Sequence, residues 1–210
     1  MATRARLPAL LRPSRGKQHT FVLFDEWLPS AKRLLREAAL AELARRYFTG
    51  HGPATLADFA WWSGLRVADA RLAVDLAGNR IEETTIDGQS LWFNRSTPSS
   101  PTSRARAYIL PAFDEFLVAY TERTAAIESS RMVRVNAGGG IINPTIVVDG
   151  RIVGTRKRRV ERREVVLALA PFEPLNKSST EAVTLALERY GRFLGLDVRL
   201  EARPARAARR

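Results

Sequence analysis

Residues 145–163 read TIVVDGRIVGTRKRRVERR, and no other segment restricts the fold as tightly. Ile146, Val147 and Val148 make a strand, Asp149-Gly150 supplies a two-residue hairpin turn, and residues 151–160 return alongside. Side chains of a strand alternate between its two faces, so Arg156-Lys157-Arg158-Arg159 places cations on both. An unpaired buried charge is costly, so this part of the ribbon is predicted either to project into solvent or to meet a polyanion. Two readings follow: contact with phosphates through Arg151, Arg156, Lys157, Arg158 and Arg159, or a solvated edge strand whose charge blocks aggregation.

Charge elsewhere favours the polyanion. The 210 residues carry a net +12, unevenly spread. Residues 1–17 contribute +5, residues 151–163 contribute +6 and residues 203–210 contribute +4, which leaves the remainder near −3. A near-neutral body with three concentrated basic segments suits sequence-independent phosphate contact; a solvated arginine-rich surface is the bland alternative. The chain has no cysteine, which excludes disulfides, thiolate metal sites and cysteine nucleophiles. His19 and His51 stand far apart, so no His-rich metal site is expected, and no cofactor. There is no apolar run of membrane-spanning length. Arg12 interrupts the short apolar patch of the N-terminus, which therefore does not read as a secretory signal. A cytoplasmic protein with no membrane partner is expected.

Residues 20–27 (TFVLFDEW) read as a short strand closed by Pro29, and Ser30 as the cap of a helix over 31–48 that Gly50-His51-Gly52-Pro53 ends. Thr55 caps a second helix that runs to Gly64, and residues 67–77 make a third, stopped by Gly78. Residues 80–86 and 90–93 form a hairpin around Asp87-Gly88. Helix, short helix, turn, helix, hairpin is the order of a winged helix, whose third helix usually enters the DNA major groove. Residues 94–104 are rich in Ser, Thr and Pro and read as a linker. Beyond it come the basic hairpin, a strand over 164–170, an amphipathic helix over 177–194 capped by Ser178 or Ser179, and a last strand over 197–201. The fold class is α+β, a winged-helix domain followed by a β-rich, barrel-like domain. Its expected parts are a basic N-terminal arm (1–17), the winged helix with a remnant strand of a preceding unit (18–95), a linker (96–104), the barrel-like domain (105–202) and a basic tail (203–210).

The blocks GKQHTFVLFDEWLP, ARRYFTGHGPATLADFAWWSGL, YILPAFDEFLVAY and INPTIVVDGRIVGTRKR occur in that order and together resemble the AlkZ-like winged-helix family, which includes DNA glycosylases acting on bulky or crosslinking alkyl lesions. The resemblance spans about residues 15–200 and implies tandem winged helices followed by a β-barrel-like domain. It also implies a longer N-terminal region than this chain has, with residues 16–28 as the last strand of the preceding unit. A separate N-terminal half is then a possible partner, and a monomer the alternative. The family's glycosylases carry a catalytic Gln-x-Gln or Gln-x-Asp motif. Here the only glutamines are Gln18, with Thr20 two residues on, and Gln89, with Leu91 two residues on. Relatives also often place a tryptophan after Val-Gly-Thr, where this chain has Arg156.

Among other candidates, Arg66 and Arg71 sit where a recognition helix would face a groove, although Asp69 and Asp75 share that helix. Trp61 and Trp62 invite base stacking but read better as core anchors. Asp114, in the FDEF block, is a possible groove-lining carboxylate or a structural one, and no positioned partner for acid–base work can be named. His51 reads as a turn residue. Residues 138–140 are Gly-rich but precede a strand, so they make no phosphate loop. The expected function is binding of double-stranded DNA, damaged or intact, without autonomous catalysis. An active DNA glycosylase and a transcriptional regulator are the rivals.

Overall fold

A computed structural model describes residues 9–16, 18–30, 33–94, 105–136 and 138–201. The expected linker (96–104) and basic tail (203–210) lie outside these residues, as do the cations within 1–8. The chain divides into two compact units, residues 1–39 and 40–210.

In the first unit, β1 (Ala9–Arg15) pairs antiparallel with β2 (Gln18–Leu23), with a register shift between Arg12 and Arg15. The described part of the basic arm is therefore largely strand. The strand expected over 20–27 stops at Leu23, and Phe24–Trp27 form a helical turn, α1, whose Asp25 and Glu26 suit the positive end of a helix. Arg33 reaches back to Asp25 at 3.0 Å.

The second unit begins within α2 (Arg36–Gly50), which starts later than the expected residue 31. Its Leu40, Ala44, Tyr47 and Phe48 recur at helical spacing and are buried. Thr55 caps α3 (Leu56–Ser63) through a reciprocal box: Asp58 N–H donates to Thr55 Oγ1 at 3.1 Å, and Thr55 N–H donates to Asp58 Oδ2 at 3.0 Å. Gly64, at φ +68°, ends α3, and α4 (Val67–Ala77) follows. The small side chains of Ala70, Ala73 and Ala77 bring α4 close to Tyr47, Phe48 and Phe59 in one core. β3 (Glu82–Ile86) and β4 (Gln89–Phe93) make a hairpin whose turn residues Asp87 and Gly88 both have positive φ, as its two-residue loop requires. Two backbone hydrogen bonds between Ala54 and Trp92 fasten this hairpin to the start of α3.

The rest is a curled, half-barrel sheet with helices on both faces, so the class is α+β. In chain order its elements are β5 (Ala107–Ile109), α5 (Glu115–Val118), α6 (Ser129–Val135), β6 (Thr145–Val148), β7 (Arg151–Val160), β8 (Glu164–Pro171), α7 (Lys177–Leu194) and β9 (Asp197–Leu200). The strands lie in the order β5-β6-β7-β8-β9, antiparallel except β8–β9, where α7 carries the chain across. Ala182, Val183, Ala186 and Leu187 of α7 cover Ile146, Val148, Val165 and Leu167 on one face. On the other, Leu117, Ile127 and Val135 cover Val147 and Ile152. All four residues of β6 are therefore buried, which explains its unbroken β-branched run. A Cβ on Gly154 would lie 2.7 Å from Ala170 O and from Pro171 Cα, so only glycine permits β7 and β8 to approach there. No helix among the described residues is long and apolar enough to cross a membrane.

Candidate nucleic-acid interface

The basic strand does not carry its cations on two open faces. Arg156 is 4% exposed and lies on the α7 side, paired in register with Leu169. Its guanidinium stands 5.1 Å from the centre of the Tyr190 ring on α7, and Nη2 donates to Leu110 O at 3.1 Å. Nε and Nη1 are buried without a partner. The expectation that Arg156 meets phosphate is thus corrected. β7 enters the curled sheet over its first half, where α7 covers the inward face, and emerges only beyond Arg156. Burial pushes this guanidinium's pKa down, against the opposing pull of Tyr190. We expect Arg156→Met to raise stability by about 1–3 kcal/mol, because it removes a buried charge that has no counter-ion among the described residues. Urea unfolding midpoints test this, and a clear loss of stability would show that the Tyr190 and Leu110 contacts outweigh desolvation.

The other cations remain outside. Lys157, Arg158 and Arg159 are exposed on β7, and Arg162 and Arg163 are exposed in the turn to β8. Arg158 donates to the Tyr190 hydroxyl at 2.7 Å, which leaves its charge uncompensated. Arg159 pairs with Glu161 at 2.9 Å, and Arg199 of β9 takes Glu164 at 2.9 Å. Among the described residues, Lys157, Arg158, Arg162 and Arg163 therefore have no carboxylate partner. The sequence reading missed Arg162 and Arg163 as contact candidates, although the same charge count contained them. Arg151 lies at the opposite end of β7, exposed, with Nη1 on Thr124 O at 3.0 Å.

Arg66 is exposed ahead of α4 and stands 3.5 Å from Asp69; Arg71 is exposed on the face of α4 opposite its buried alanines. Asp114 spends its carboxylate on the cap of α5, accepting from Phe116 N–H at 2.9 Å. Trp61 is 61% exposed, and its indole N–H donates to Val118 O at 3.0 Å, which corrects the core-anchor reading for that ring. Trp62 is the one packed on the core, beside Tyr47. The adjacent positions point apart because they sit on one helix, about 100° from each other.

The Trp61–Val118 bond belongs to a set joining residues 114–121 to the helices. Asp58 is 3% exposed and accepts from the backbone and the hydroxyl of Thr121, each at 2.7 Å. Tyr120 donates its hydroxyl to His51 O at 2.9 Å, and His51 Nε2 donates to Glu115 at 2.8 Å. The His51 ring stacks on Tyr47 at 4.7 Å. Beside this junction lies a cleft of about 620 Å³, bounded by the β3–β4 hairpin, residues 116–126 and Gly150 of the β6–β7 turn. No charge pattern in the sequence marked it, because its walls come from four separate segments, residues 51–58, 86–91, 116–126 and Gly150.

A family model described as DNA glycosylase AlkZ-like matches residues 2–193. An interstrand DNA cross-link repair glycosylase from Streptomyces sahachiroi is 23% identical over 198 residues, covering 88% of this chain and 51% of that relative. The solved structure of the DNA glycosylase AlkZ from the same organism superposes with a TM-score of 0.71 at 23% identity, over 92% of this chain and 54% of the other. The chain thus spans about half the length of the relatives it matches, and the structural likeness is one of fold.

Proposed function

Since the chain belongs to the AlkZ-like DNA glycosylase family, we propose that it binds double-stranded DNA, chiefly through phosphates, and does not by itself hydrolyse the glycosidic bond. The observation that carries this reading is the end of the β7–β8 ribbon, where Lys157, Arg158, Arg162 and Arg163 stand exposed without a compensating carboxylate among the described residues. Such a cluster repels itself and gains most from a ligand of repeated negative charge. Arg151 adds a cation at the other end of β7. In this reading α2, α3, α4 and the β3–β4 hairpin act as a winged helix, with Arg66 and Arg71 on its third helix as secondary contacts.

Catalysis would need a polar group positioned to activate water beside the sugar. Neither Gln18 nor Gln89 begins the Gln-x-Gln or Gln-x-Asp motif implied by the family resemblance. The test is a salt titration of duplex binding together with a base-release assay on alkylated duplex. A steep fall of log affinity with log salt and no released base are expected. Salt-independent binding would remove the phosphate reading, and base released by this chain alone would make it a glycosylase.

A further inference from the structure

We propose that the groove between β5 and α7 takes an extended, acidic segment of another protein, which adds to the edge of the sheet and gives its carboxylates to Arg106 and Arg189. The proposal does not depend on the phosphate contacts of the β7–β8 ribbon.

β5 is an edge of the five-stranded sheet. Leu110 and Thr145 exchange two backbone hydrogen bonds, and Asp149 N–H donates to Arg106 O. Pairing in an antiparallel ladder alternates, so Ala107 and Ile109 turn their backbone groups away from β6. Such an edge is a template for a further strand. Arg189 of α7 meets it there, donating from Nη2 to Ala107 O at 2.7 Å. An incoming strand can take over Ala107 O only if Arg189 is offered another acceptor, and a carboxylate is the acceptor that also matches its charge.

Beside this edge lies a groove of about 290 Å³, just under the range of small-molecule sites, roughly 300–1,000 Å³. That size suits inserted side chains rather than an enclosed molecule. Tyr108 and Leu185 on its walls are 49% and 55% exposed, and Ala105 and Ala182 add methyl groups. Leu185, Arg189 and Phe193 follow one another at four-residue spacing, so they share one face of α7, and Phe193 is exposed as well. Arg106 and Arg189 are the groove's charged residues, and among the described residues neither has a carboxylate partner.

The combination selects the occupant. A phosphate backbone would match the two cations but has nothing apolar to place against Tyr108 and Leu185. A wholly apolar segment would fill the walls and leave two guanidinium groups facing it. A strand in which carboxylates alternate with apolar side chains satisfies both, and its backbone supplies the partners that the β5 edge lacks. The residues outside those described contain no acidic side chain, so the carboxylates come from another molecule.

The experiment titrates the full chain into two fluorescein-labelled ten-residue peptides, one alternating glutamate with valine and one alternating glutamate with serine. The glutamate–valine peptide should bind about tenfold more tightly, and it should slow hydrogen exchange at the Ile109 amide. Arg106→Glu combined with Leu185→Ser, both at exposed positions, should weaken that peptide by about tenfold or more without moving the urea midpoint. Changing Lys157, Arg158, Arg162 and Arg163 to Gln should leave its affinity within about twofold, since those cations lie outside the groove. No binding at millimolar peptide, equal binding of the two peptides, unchanged exchange at Ile109 or unchanged affinity in the groove variant each overturns the assignment. An equal loss in the β7–β8 variant overturns it too, because bulk charge alone would then explain the binding. Duplex binding that the groove variant abolishes would make the groove a nucleic-acid contact, and a dimer that the variant dissolves would make it a self-interface. Either result replaces the peptide.

Discussion

Duplex affinity is expected to fall by about two to three orders of magnitude at low salt when Lys157, Arg158, Arg162 and Arg163 are all changed to Gln, with the log–log salt slope flattening by about 3 to 4 units. The estimate follows from counterion release: each neutralised phosphate frees about 0.9 of a condensed cation, so four lost contacts remove about four such increments. All four side chains are exposed, and none meets a carboxylate among the described residues, so the variant should keep its urea midpoint. The loss should be similar for unrelated sequences, because phosphates carry no base information. An unchanged slope in a correctly folded variant would remove the end of the ribbon from the interface and leave Arg66, Arg71 and Arg151 as exposed sequence-derived candidates.

The geometry explains why four cations, rather than every cation of residues 151–163, enter this estimate. Arg156 is sealed under α7, and Arg159 already faces Glu161 at 2.9 Å. Arg199 draws Glu164 and part of Glu161 onto β9, so the acids near the ribbon are shared among arginines that do not project. At physiological salt the field of the remaining cluster decays over about 8 Å, so the phosphate backbone must come into near contact to benefit. That requirement fits an end-on approach to the β7–β8 turn better than a broad sheet face.

Elements with their own punctuation were readable directly. Residues 177–194 form the expected helix, and Asp149-Gly150 turns as its two residues dictate. Thr55 announced a helix start, and its reciprocal hydrogen bonds with Asp58 realise it. Elements that depend on distant partners were not readable. Residues 129–135 form α6 with little apolar periodicity, because only Val135 is buried there, against strands that arrive later in the chain. Arg156 was misassigned for the same kind of reason: alternation identifies which residues share a face, but not where along a strand a covering helix ends. The cleft is the extreme case, since Asp87 and Glu122, which both line it, lie 35 positions apart and belong to no motif.

Asp58→Ala is expected to cost about 3 to 4 kcal/mol of stability. The carboxylate accepts four hydrogen bonds, from the backbone and hydroxyl of Thr55 and from the backbone and hydroxyl of Thr121, all between 2.7 and 3.0 Å. Removing it takes away the half of the capping box that holds the Thr55 N–H, and it deprives the Thr121 N–H of its acceptor, although the Thr55 hydroxyl still caps α3. Burial alone would raise the pKa of this group, but the bonds from Thr121 and Thr55 outweigh burial, and the net shift is downward from 3.8. The folded protein therefore resists protonation more than the unfolded chain does. The stabilisation is complete above the unfolded value and is lost as pH falls through the folded one. Between about pH 5 and pH 2 the melting temperature of the parent should drop more steeply than that of Asp58→Ala, so the two curves converge in acid. Asp58→Asn, which keeps shape and one acceptor, should fall between them. Parallel curves would show that the junction is held by the aromatic contacts around Tyr47 rather than by this carboxylate. In that case residues 116–126 would keep their place on the helices, and the cleft its shape, without it.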